Sequence, residues 1–183
     1  MRFALLPISL MAWAFVASAQ APARPAEKLA ADKEITTFGG ATFTAPVGWS
    51  IVIAGPLIVV EAPEVDSHVV LFDSDAGAAD AAIDAAWAAY GRGEKRAIRQ
   101  KLSRPTREGW EKVQVYLYET SPNERAVMQA IARRAKNTWT VVILNGKQPT
   151  FKKRGAAVGL SLGSSGRPGR DRTADSSYLL CFA

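Results

Sequence analysis

A serine one helical turn from a lysine, a histidine beside a carboxylate, or three to four His and Cys side chains around a metal would each give a chain chemistry. His68 and Cys181 are the only residues of their types, too few for a zinc site, and a Ser–His–Asp triad would have to use His68. None of the twelve serines is followed by lysine three positions later, and Lys-Thr-Gly is absent. Neither a nucleophile elbow nor a phosphate-cradling glycine loop is expected. His68 lies in a strand-like run and reads as a surface or core residue rather than a base. Asp80 and Asp84 stand four apart on a predicted helix, a spacing that suits paired carboxylates. Solvated carboxylates at a helix N-terminus are the ordinary reading. No catalytic residue, metal ligand or cofactor is assigned.

Charge is the other candidate for function. The stretch from Glu61 to Asp84 holds seven acidic residues and no Lys or Arg, whereas Gly91 to Lys112 holds eight basic residues and three acidic ones. Within it, Arg92, Lys95, Arg96, Arg99 and Lys101 form a candidate surface for an anionic partner such as a cell-wall polymer or lipid headgroups. The competing reading is a charged edge strand that resists sheet-to-sheet aggregation. Nucleic acid is not an expected partner, because basic–aromatic clusters are missing. The whole chain carries 23 Lys+Arg against 17 Asp+Glu, a formal net charge of +6, and is 48% hydrophobic. That composition excludes disorder and a disulfide scaffold.

The elements that would position these residues read as one α+β unit. Short apolar runs over Ala41–Ala45, Trp49–Ile53, Leu57–Glu61 and His68–Phe72 are separated by Pro-Val-Gly, Ala-Gly-Pro and Ala-Pro-Glu turns, the pattern of an antiparallel meander. Ile51-Val52-Ile53 and Leu57 to Val60 are apolar on both faces, so helices are expected to cover the sheet. Ala78–Tyr90 predicts a helix, with Ile83, Trp87 and Tyr90 at i, i+4 and i+7 and Gly91 and Gly93 ending it. Arg96–Leu102 and Glu111–Glu119 predict two more strands. Glu124–Ala135 reads as helix or as the first arm of a hairpin through Lys136-Asn137 into Thr138–Leu144, with the hairpin favoured. Phe151, Val158 and Leu162 suit a closing helix from about Thr150, although Lys152, Lys153 and Arg154 would then oppose its dipole. The fold class expected is α+β: an antiparallel sheet of about six to eight strands with helices packed on it.

The ends are different in kind. Met1 to Ala19 has a basic start, an apolar core and Ala17-Ser18-Ala19, the pattern of a cleaved signal peptide. A periplasmic or secreted location follows, with membrane contact only through that segment. Residues 20–36 read as a linker, residues 37–163 as the α+β domain, and residues 164–183 as an irregular tail, either native or the product of a reading-frame slip.

Four stretches carry a resemblance. Ala41 to Trp49, Ala85-Ala86-Trp87-Ala88-Ala89-Tyr90, Tyr118 to Arg125 and Trp139 to Ile143 are similar to the region that precedes the catalytic domain in periplasmic serine hydrolases of the β-lactamase/penicillin-binding-protein family. The turn into Trp49, the meander and the flanking helices also resemble the PsbP-like α/β/α sandwich, a fold used mostly for binding. The first resemblance implies an exported non-catalytic domain whose hydrolase partner domain is missing; Ser121-Pro122-Asn123 has the shape of that family's Ser-x-Asn element but lacks its companions. The alternative is a free-standing periplasmic module that binds an envelope protein or ligand. Oligomeric state is left open.

Overall fold

The computed structural model describes residues 26–92, 95–105 and 109–163. The predicted signal peptide and the tail after Gly163 lie outside these residues, as does Gly93. Ten strands are described: β1 (Glu27–Lys28), β2 (Lys33–Thr36), β3 (Thr42–Ala45), β4 (Ser50–Ala54), β5 (Leu57–Glu61), β6 (Ser67–Ser74), β7 (Ile98–Arg104), β8 (Lys112–Tyr118), β9 (Ala126–Ala135) and β10 (Thr138–Lys147). The helices are α1 (Ala79–Tyr90), α2 (Gln148–Lys153) and α3 (Gly155–Gly163), with a 3-10 turn over Pro122–Glu124. Eight strands form one antiparallel sheet in the order β1-β4-β5-β6-β10-β9-β8-β7, and β2 and β3 pair separately. The α+β expectation holds.

Both faces of the sheet are covered, as the two-sided apolar runs require. On one face, Ile83, Trp87 and Tyr90 of α1 pack against Val59, Val70, Tyr118, Ala130 and Val141. Alanines on that side of α1 let the helix approach closely, and the Trp87 indole N–H donates to the Tyr118 hydroxyl at 2.8 Å. Gly91 ends the helix at φ 60 and returns its N–H to the Trp87 carbonyl. On the other face, Phe43 and Ile35 of the β2–β3 ribbon and Phe151 and Val158 of α2 and α3 bury Trp49, Ile58, Leu71, Ile131 and Leu144. Each such large side chain contributes roughly 1.5–3 kcal/mol by leaving water.

Of the ambiguous Glu124–Ala135 segment, Ala126–Ala135 is a strand, paired with β10 from Ala126↔Lys147 to Ala135↔Thr138. Pairing on both edges outweighs the helical spacing of Val127 and Ile131. Two expectations need correction. Residues 20–36 are not all linker, since β1 and β2 lie within them and Leu29 and Ile35 are 4% and 8% exposed. Leu29 is clamped by backbone hydrogen bonds to Trp49 and Gly48, so even one large apolar side chain anchors this stretch. The closing helix is two helices. Because α2 begins at Gln148, Lys152 and Lys153 fall in its last turn, where the dipole favours cations. Lys153 and Arg154 both reach Glu64 at 2.9 Å and hold its carboxyl down to about 2, the Arg154 hydrogen bond first.

Candidate functional site

The basic stretch folds into the edge strand β7 and its approach. Lys95 pairs with Asp84, Lys101 with Asp80 at 2.6 Å, and Arg96 with Glu124 through both guanidinium nitrogens. Three of the five proposed anion-facing cations therefore already have carboxylate partners. The same pairs account for Asp80 and Asp84: each reaches out from α1 to a separate lysine. The Lys101 ammonium lies 5.1 Å over the Tyr116 ring, and its hydrogen bond holds the Asp80 carboxyl below the usual range. Arg92 stands by His68, its Nη1 3.4 Å from the imidazole Nε2. Arg99 is exposed at a bulge in the β7–β8 register and lines an open cleft of about 560 Å³ with Arg96, Ala97, Glu119, Thr120 and Ser121.

A second cleft lies in the corner between the Thr37–Ala41 turn and one end of the central strands β6, β10 and β9, and no sequence pattern pointed to it. Arg133, Thr140 and Asp73 sit opposite one another on β9, β10 and β6, all at most 6% exposed. The Thr140 hydroxyl donates to Asp73 Oδ1 at 2.7 Å, and the Gly39 backbone N–H donates to Oδ2 at 2.6 Å. That second bond pins the turn from Thr37 to Ala41 onto the sheet. The turn closes on itself through Thr37 N–H to the Ala41 carbonyl at 2.7 Å and Gly40 N–H to the Thr37 carbonyl at 3.0 Å. Gly39 has to be glycine: a Cβ there would lie 2.9 Å from Thr138 Cγ2 and 3.1 Å from the Asp73 carboxyl.

Two aromatics frame this corner. Phe38, at the tip of the pinned turn, is 86% exposed. Trp110 is buried and has the Arg133 guanidinium 5.9 Å over its ring. A cavity of about 340 Å³ beside Trp110 is lined by Gly39, Gly40, Ala41, Trp110, Ala135, Lys136, Thr138 and Thr140, with Phe38 next in sequence to its wall at Gly39. The β9–β10 turn at its mouth is fixed by the Glu111 carboxylate, which accepts from the Lys136 N–H at 2.9 Å. The space is open because four of its walls are Gly or Ala. It has the size of a small-ligand or side-chain pocket.

The other groups that sequence singled out are engaged structurally. His68 contacts Glu61 at 3.2 Å and packs edge-on to Tyr90. Ser121 caps the 3-10 turn in a reciprocal box with Glu124. Burial pushes the Tyr118 hydroxyl up to about 12 and raises that of Tyr116, so both stay neutral: Tyr118 accepts from the Trp87 indole N–H, and Tyr116 donates to Gln114 Oε1 at 2.7 Å. One motif was overlooked: Gly159-Leu160-Ser161-Leu162-Gly163 spells Gly-x-Ser-x-Gly. It runs within α3 and not across the strand–turn–helix junction that a nucleophile elbow needs. Among the described residues no three His, Cys, Asp or Glu side chains gather as a metal site, and no helix is long and apolar enough to cross a membrane.

No protein-family model matches the chain, and no curated protein does. The resemblance to a serine-hydrolase region therefore stands only on the stretches quoted for it. The fold is similar to the solution structure of cyanobacterial PsbP (CyanoP) from Synechocystis sp. PCC 6803, with a TM-score of 0.51 and 12% identity over 74% of this chain and 92% of that one.

Proposed function

We propose that this chain is an exported, non-catalytic binding module that docks a partner protein through the corner formed by Phe38 and Trp110. One observation carries the reading. Phe38 is 86% exposed on a turn fastened to a buried carboxylate, beside a cavity of about 340 Å³. A large apolar side chain held out in water gives the isolated fold nothing, whereas a partner's pocket would gain its full burial. The adjoining cavity would take a side chain in return. The test is photo-crosslinking in the native host, with Phe38→p-benzoylphenylalanine and, as control, Val65→p-benzoylphenylalanine. Val65 is 69% exposed at the other end of β6. A discrete adduct at position 38 alone is expected; no adduct, or the same adducts at both positions, contradicts the reading.

A finer form of the proposal makes the module the accessory domain of a β-lactamase-family serine hydrolase. Its support is the four resembling stretches. It requires one of the other two reading frames beyond codon 163 to encode an apolar-patterned continuation with Ser-x-x-Lys; frames without it remove the finer form and leave the binding module intact.

A further inference from the structure

We propose that β7 is a second, independent docking site, where an extended acidic segment of a partner protein adds to the sheet as a further strand. The two edges of the sheet differ. One ends in β1, only two residues long, while β7 presents seven residues with β8 on one side and no strand on the other among the described residues. A long edge with unpaired N–H and C=O groups is a template for strand addition.

Charge selects the occupant. Between Ile98 and Arg104 the strand carries Arg99, Lys101 and Arg104 and no acid. A second copy of β7 would set three cations against three, and facing like charges are unfavourable. An acidic strand meets the opposite situation. Arg99 and Arg104 are exposed and make no ion pair among the described residues, so their charge is available. Lys101 is already held by Asp80, which fixes it along the α1 side of the edge. At the start of β7 the bulge between Ile98 and Gln100 interrupts the ladder, and the cleft of about 560 Å³ between Arg99 and Ser121 gives an incoming end residue room beside the Arg99 guanidinium, Arg96 there being paired with Glu124. The charges discourage self-pairing and favour an acidic guest.

The test titrates the purified full-length chain with a fluorescein-labelled peptide of alternating Glu and Thr, matched in length to β7. Binding is expected to weaken about tenfold or more in the Arg99→Glu/Arg104→Glu double variant. It is expected to vanish when alternate peptide nitrogens are N-methylated, which removes the ladder donors and keeps the charge. Backbone amides within residues 98–104 should gain hydrogen-exchange protection in the unmodified protein, a readout that does not depend on the variant folding. Phe38→Ala should leave this binding unchanged, which separates it from the Phe38–Trp110 corner. An acidic peptide that fails to bind, an N-methylated peptide that binds equally, or a Lys-Thr peptide that binds as tightly overturns the proposal.

Discussion

The corner around Asp73 and the edge along β7 use the same residue types for different ends. At the corner, one carboxylate is 6% exposed and takes donors from Gly39 and Thr140 on two other segments. Along the edge, Asp80, Asp84 and Glu124 meet Lys101, Lys95 and Arg96 with side chains that are all more than a third exposed. In water such pairs are worth little, because solvent screens them and ordering long side chains costs entropy. Away from water, an unmatched donor is expensive. The buried corner therefore holds the fold in shape, and the ion pairs along the edge add little to its stability.

Substitution can break that contrast. The largest effect is expected from Asp73→Ala, which strips the buried Thr140 hydroxyl and the half-buried Gly39 N–H of their acceptor and frees the Phe38 turn. Urea unfolding should show a loss of roughly 3 kcal/mol. Next comes Gly39→Ala, whose new methyl meets Thr138 and Asp73; the expected loss is about 1–3 kcal/mol. Both variants should weaken partner docking beyond their effect on stability, since both displace Phe38. Phe38→Ala, by contrast, should leave the unfolding midpoint where it is.

Glu64 tests an intermediate case, with its side chain 23% exposed. Its carboxyl titrates near 2 in the fold against 4.5 in the open chain. The native state therefore favours the charged form. That contribution is complete above about 4.5 and is lost as pH falls through about 2. Acid titration of stability should show a downward slope in that window, modest because solvent reaches the pair, and Glu64→Gln should flatten it. The smallest effects belong to the edge: Lys95→Ala and Lys101→Ala should each change stability by less than about 0.5 kcal/mol. A larger loss there would erase the distinction between the regions.

Local pattern made much of the scaffold legible. The runs that became β4, β5 and β6 announced themselves through turn residues, and the Ile83, Trp87 and Tyr90 stripe of α1 through its period. Leu29 and Ile35 were missed because they sit singly among charged and small residues, so no period marks them; only packing against the sheet makes them core. The candidate corner was hidden for the same reason. Asp73 and Thr140 are 67 positions apart and look like unremarkable polar residues until β6 and β10 align them. The basic run was visible, but the carboxylates that partner it come from α1 and the Pro122–Glu124 turn, which composition cannot bring together.

The most direct measurement follows the 1H–15N amide and indole signals of the labelled protein as p-cresol, a mimic of a tyrosine side chain, is added. Saturable shifts confined to Gly39, Gly40, Trp110, Lys136 and Thr140 are what a built docking pocket at this corner predicts. Shifts scattered over the surface, or none at these residues, would contradict it.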